Sequence, residues 1–529
     1  MKQHSFTSQL KSLALVFGIA LTFASCANED VTQNPTNPNE DNDKNLTTFV
    51  AGDEAKTRTS LDYNSSDFYW EVGDYIYVKD DDGTLQKSSN APTSKVASFK
   101  YKVPGKFTGN SYKVYYLGKN SNGSQVTIST AQTQAKPDDT EHFGTAGDYG
   151  TATATKVPNK QQFAFELEHQ PAYLVFQPYT SNTILHNCYL TKVEVTSDND
   201  IAETYTVNTS TDNLDASAVT DGKKIVLTTS GSSSNPNGFP LTNSSANVTT
   251  NGAYMVIKPG THTLKVRYWV KDVATYVEGT ITKLLPSTAY ASNTYYDMTA
   301  NLDVKDYDGD HYYMWDAEKQ YWYGYEWTKH LSGNTGQPTV GGNSSSNYAQ
   351  NNSDVSRWYH EGGGSGRFDA TQSCAGLPNA NEMSWYCMYG DPRWDFDELW
   401  TSMGHLYKGG MWFKKKSVLQ AEGHYNTEKS ADGSTDLRTT YKNYNNNNSS
   451  LYSSGLPSAA DAGNYFYLPA LGYYRSGLLG NIGSHAVYWS SSANPISRSN
   501  AYSLYFVNNT VNVSAYEGRG NGNRVGSFQ

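Results

Sequence analysis

From about residue 47 to residue 300, apolar and aromatic positions alternate with polar ones in short runs. The alternation is clearest in FYWEV (68–72), YIYV (75–78), YKVYY (112–116), FAFEL (163–167) and AYLVF (172–176). It continues in YLTKVEV (189–195), KIVL (224–227), YMVI (254–257) and LKVRYWV (264–270). A period of two with Gly, Asp, Asn and Pro between the runs predicts antiparallel β-sandwiches. Asp82-Gly83 suits a hairpin turn, because both residues tolerate positive φ. Some 250 residues exceed one sandwich, so two are expected, parting near residue 180.

The pattern changes at about residue 305. Two short helices are predicted, each from a polar residue followed three positions later by a glutamate. One runs from Asn379, with Glu382, to Gly390; the other from Asp395, with Glu398, to Met403. A terminal hairpin is expected from AYSLYFV (501–507) and TVNVSAY (510–516) around Asn508-Asn509. Helices, a hairpin and long Gly/Asn/Ser loops such as 441–455 predict an irregular α+β module. The fold class is therefore mainly β, with segments 47–179 and 180–304 as sandwiches and 305–529 as an α+β unit.

The N-terminus has a different pattern again. Lys2 and Lys11 precede an apolar run, Leu13–Ala24, which ends in Phe23-Ala24-Ser25-Cys26. A positive start, a short apolar stretch and a small-residue finish form a secretory signal over residues 1–26, too short to span a membrane stably. Residues 27–46 are Asn, Asp, Glu and Pro with almost nothing to bury, and read as a disordered tether.

Composition narrows the function. The net charge of −10 argues against nucleic acid, which requires clustered Lys and Arg. Nine of the eleven Trp fall after residue 305, among 42 Tyr in the whole chain, so the third segment is unusually aromatic. Cys188, Cys374 and Cys387 are too few for a disulfide scaffold; Cys374 and Cys387 either pair or are two half-buried thiols. No Gly-x-Ser-x-Gly, phosphate loop, His-Glu-x-x-His or Cys-x-x-Cys is present, which argues against an enzyme.

Three resemblances add to this. Small residues before Cys26 resemble a lipobox, implying an acylated cysteine as the new N-terminus, and Glu29-Asp30 after it resemble the acidic export signal of surface lipoproteins in Bacteroidetes. Residues 47–300 resemble the fimbrillin family of that phylum, through TRTSLD (57–62), FYWEVGDYIYV (68–78) and EHQPAYLVF (168–176). Residues 305–529 resemble the major paralogous (FISUMP) domain, through LPNANEMSWY (377–386), MGHLYKGGMWFKKK (403–416), YFYLPALGYY (465–474) and YWSSS (488–492). The first of these two implies transthyretin-like sandwiches and assembly with other fimbrial subunits by donor-strand addition. It also implies a cut after an arginine near the first strand, for which Arg58, with Thr59 as the new N-terminus, is in place; the other reading of Arg58 is an exposed strand residue. The second implies a C-type-lectin-like architecture, and a modifying-factor relative would use Cys374 or Cys387.

Candidate ligand groups follow from the third segment. Asp306, Asp308 and Asp310 alternate as calcium ligands do, although no glutamate stands at the twelfth position, and a solvated linker turn is the competing reading. Aromatic rings either stack on sugars or fill the core. Trp322, Trp327 and Tyr474, outside any clear helix or strand pattern, are the candidate sugar-stacking residues. The sequence as a whole predicts a non-enzymatic lipoprotein on the outer surface of the outer membrane. It serves as a fimbrial tip or accessory subunit whose last domain binds a glycan or a host or bacterial surface. A tethered glycan-capture lipoprotein without a pilus is the alternative.

Overall fold

The computed structural model describes residues 2–5, 45–52, 60–63, 67–119, 121, 123–307, 311–325, 347–447, 451, 455–526 and 528. It is mainly β, and its strands fall into three regions along the chain.

The first region is built on one sheet. Its strands are β1 (Leu46–Ala51), β2 (Ile76–Lys79), β3 (Leu85–Lys87), β4 (Phe99–Pro104), β5 (Ser111–Tyr116), β6 (Gly150–Lys156) and β7 (Gln162–Phe165). They are ordered β3-β2-β5-β6-β7-β1-β4. The β2–β3 turn is the expected hairpin: Gly83 sits at φ 79°, and the Asp80 carboxylate accepts the amides of Asp82 and Thr84. One face of the sheet, with Trp70, packs a core of Phe49, Tyr101, Val114, Tyr116 and Phe163. The alternate residues Tyr77 and Tyr115 point the other way, into the core of the second region.

The second region is a sandwich of two sheets around that larger core. Its strands are β8 (Ala172–Tyr179), β9 (Cys188–Ser197), β10 (Lys224–Thr228), β11 (Ala253–Ile257), β12 (Gly260–Asp272), β13 (Glu278–Tyr290) and β14 (Thr294–Asn301). One sheet runs β14-β8-β11, and β10-β9-β12-β13 run side by side in the other. Because β8 pairs in parallel with β14 over its whole length, the change of region comes before residue 172 rather than near 180. Segments Gln125–Thr127 and Ala131–Thr133 also pair with second-region strands, so the division is not a single cut in the sequence. Lys2–Ser5, inside the expected export signal, lie antiparallel along the outer edge of β14.

The third region contains α1 (Ala380–Tyr389), β15 (Arg393–Ser402), β16 (His405–Lys414), β17 (Tyr465–Pro469), β18 (Ala486–Ala493), β19 (Asn500–Val507) and β20 (Thr510–Gly518). The capping box of α1 is present: Asn379 accepts the amide of Glu382, whose carboxylate accepts the amide of Asn379. Gly390 follows the helix with φ −69°, and a Cβ there would lie 2.2 Å from the Tyr386 carbonyl oxygen. The hairpin β19–β20 forms as expected around Asn508-Asn509. The helix expected from Asp395 to Met403 does not form; those residues make β15. The Asp395 carboxylate does accept the amides of Asp397 and Glu398, as a cap would, but at a bulge between Asp395 and Leu399.

Candidate functional site: an inner strand and the module behind it

Strand β1 is held on both edges. It pairs in parallel with β7, Phe49 opposite Phe163, and antiparallel with β4, Phe49 opposite Tyr101. Phe49 and Ala51 are fully buried. The Phe49 ring stacks on Phe163 at 5.0 Å and meets Phe107 edge-on at 5.1 Å. The amide of Gly52 still donates to the Phe165 carbonyl. The covalent path from β1 into the rest of the region therefore runs through residues 53–59, which include Arg58 and Thr59 and lie outside the described residues. The next described strand, Ser60–Asp62, pairs with Asp67–Tyr69 and not with β1. A cut after Arg58 would leave β1 held by backbone pairing and alternate side chains alone, the interactions that another strand of the same pattern can supply.

Sequence-based candidates in the third region fare differently. Trp322 and Tyr474 are buried, not presented on loops. Tyr474 stacks on Tyr321 at 5.0 Å, with Trp322 edge-on at 5.8 Å and Tyr312 edge-on at 5.1 Å. With their faces covered by one another, neither ring can stack on a sugar. Trp327, Asp308 and Asp310 lie outside the described residues, as does Cys26. The Asp306 carboxylate accepts the Thr401 hydroxyl at 2.9 Å and ties the linker to β15. Among the described residues no group of three His, Cys, Asp or Glu is placed to hold a metal ion.

The two cysteines do not pair. Cys374 packs with Trp315 and Trp489, and its sulfur accepts the Asp316 amide, while Cys387 on α1 donates to the Val511 carbonyl. Burial pushes both thiols up to about 12, which removes the thiolate that nucleophilic chemistry needs. We expect Cys188, Cys374 and Cys387 to resist a thiol reagent in the native chain and to react together on unfolding, as counted by mass spectrometry; a native Cys374–Cys387 disulfide would contradict this.

Where the second and third regions meet, the structure adds a cluster for which the sequence carries no local signal. The β10–β13 sheet continues into β15-β16-β17 through a parallel contact, Thr280 opposite Glu398. Arg267 on β12 donates to the Asp395 carboxylate at 2.9 Å and to the Thr280 hydroxyl at 2.7 Å. Glu398 accepts the Thr282 amide at 2.9 Å and the hydroxyls of Thr282 and Thr280 at 2.6 and 3.1 Å. Lys265 donates to the Pro457 carbonyl, and Lys408 to the Glu278 carbonyl. Desolvation, with Asp395 close by, raises Glu398 to about 7, while burial lowers Lys265 to about 8. The cluster fixes the third region on the second.

No protein-family model and no curated protein matches the chain. Among solved structures it is similar to a Bacteroides ovatus protein described as a candidate for cell adhesion, at 15% identity, covering 49% of this chain and 93% of that one, with a TM-score of 0.29. It is also similar to a fimbrial protein from Bacteroides ovatus, at 12% identity over 90% of this chain and 98% of that one, TM-score 0.23. A third is the fimbrial anchor protein Mfa2 from Porphyromonas gingivalis, at 12% identity over 46% of this chain and 83% of that one, TM-score 0.22. At such scores no shared overall fold follows.

Proposed function

We propose that the chain is a non-enzymatic surface subunit of a fimbrium, exported as a lipoprotein through Cys26. It accepts a strand from a neighbouring subunit and displays its third region at an end of the polymer. The observation that carries this reading is β1: a strand paired on both edges, one in from the sheet's end, with a buried aromatic anchor, joined onward through a segment that contains Arg58. Removing it opens a slot between β4 and β7 whose free amides and carbonyls match an incoming strand. The pairing of the last described strands supports a terminal position. Strand β20 is paired on one edge with β19 and on the other with Tyr444–Asn446, and Asn523–Arg524 pair with Tyr312–Tyr313. Strands held inside a sheet on both edges are not free to pair elsewhere, so these strands do not serve as the donor.

Mapping the N-terminus by mass spectrometry, on cells and on filaments sheared from them, tests the proposal. A mature start at Thr59 in the sheared fraction is the expected result. Intact chain with a lipidated Cys26, absent from the sheared filaments, would overturn the fimbrial reading and leave a tethered surface binder.

A further inference from the structure

Trp322 and Tyr474 are enclosed and offer no face to a ligand. A cleft of about 510 Å³ opens between the linker that enters this region and its last strands. Its lining includes two partly buried tyrosines, Tyr307 and Tyr467, packed against the core of this region, and the buried Phe466. Lys305 and His311 stand exposed at the mouth, and the largely buried Arg524 lies deeper.

The rings are held before any ligand arrives. The Tyr307 amide donates to the Thr401 carbonyl at 2.7 Å, and its ring meets Trp400 edge-on at 6.0 Å. The Tyr467 ring leans on Trp412 at 5.2 Å, and its hydroxyl reaches the Glu398 carbonyl oxygen at 3.4 Å. The guanidinium of Arg524 lies over Tyr307 and Tyr312 at 5.7 and 5.5 Å, and the Lys305 ammonium lies 4.9 Å from the Tyr307 centroid. Asp306 also lines the cleft, with one oxygen engaged by Thr401. Preset aromatic faces accept the CH faces of a sugar ring, and a guanidinium beside an ammonium favours a carboxylate, which Arg can bind through two parallel bonds. A volume of this size lies within the range of small-molecule sites.

We propose that this cleft binds a carboxylated sugar, with Arg524 and Lys305 taking the carboxylate and the Tyr307 and Tyr467 rings taking the pyranose faces. The inference gives a ligand class to the display role proposed above. Its test does not depend on Arg58 processing, so either reading can fail alone.

The test is calorimetric titration of the full chain with a galacturonic acid trimer, alongside its methyl ester and inorganic phosphate. The acid trimer should bind at least on the order of tenfold more tightly than the ester, since a hydrogen bond to a charged group contributes about 1.5–3 kcal/mol. Lys305→Glu, at an exposed position, should remove most of that preference with an unchanged melting temperature. Arg524→Lys should weaken the acid trimer while leaving the ester unchanged; if that variant fails to fold, Lys305→Glu still decides the question. Equal binding of acid and ester, unaltered binding by Lys305→Glu, phosphate binding as tight as the trimer, or no binding at millimolar trimer would each overturn the assignment.

Discussion

A chain beginning at Thr59 should lose most of the stability of its first region, and a peptide spanning Asn45–Gly52 should return it. Without β1, β4 has no ladder partner and β7 has a bare edge, because β4 pairs along its length with β1. The core also loses Phe49, which fills the space between Phe163 and Phe107. Truncating a buried Phe to Ala alone costs about 3–5 kcal/mol. A strand's worth of pairing added to that approaches the whole stability of a small domain, about 5–15 kcal/mol. The loss should appear as early melting and as fast hydrogen exchange of the β4 and β7 amides. Rescue should depend on the alternation: a peptide carrying Phe49→Asp places a charge where the ring was and should fail. If the shortened chain melts with the complete one, or the altered peptide rescues equally well, β1 is not a replaceable strand.

The sequence was legible where the structure is local. The β2–β3 and β19–β20 hairpins depend on residues a few positions apart, and the α1 capping box closes over three, so pattern and turn chemistry suffice. The neighbours of β1 were not legible, since its parallel partner β7 lies more than a hundred residues further along and parallel pairing leaves no turn to read. The misreading at Asp395 had a physical source. The capping signal was real, and the Asp395 carboxylate does hold the amides of Asp397 and Glu398, but Arg267, Thr280 and Thr282 compete for the same residues from another region and favour an extended strand. Trp322 and Tyr474 show the limit for aromatic residues. Burial by other rings, not position in a periodic pattern, set their role, and the cleft with Tyr307 and Tyr467 formed from segments about 160 residues apart.

Asp395→Ala should uncouple the second and third regions. Asp395 and Arg267 are both largely buried, so the variant leaves a guanidinium enclosed beside Thr280 without its counter-charge, and frees the indole N–H of Trp412, which also donates to that carboxylate. Breaking one half of a buried pair costs about 3–5 kcal/mol, whereas the joint replacement Arg267→Met with Asp395→Leu should cost far less, because the desolvation of both charges disappears together. Denaturant unfolding should therefore become two separate transitions in Asp395→Ala and stay close to the parent in the double variant. Glu398 adds a pH dependence of defined sign. Its carboxyl is raised on folding from 4.5 to about 7, so the folded state favours the protonated form. That contribution is complete below about pH 4.5 and is lost as pH rises through about 7, weakening the joint toward alkaline pH. Glu398→Gln, neutral throughout, should flatten this slope and unfold later than the parent at pH 8. A Glu398→Gln variant whose stability falls relative to the parent from pH 5 to pH 8 would mean that Glu398 is ionised in the folded chain, and that Arg267 serves both carboxylates rather than Asp395 alone.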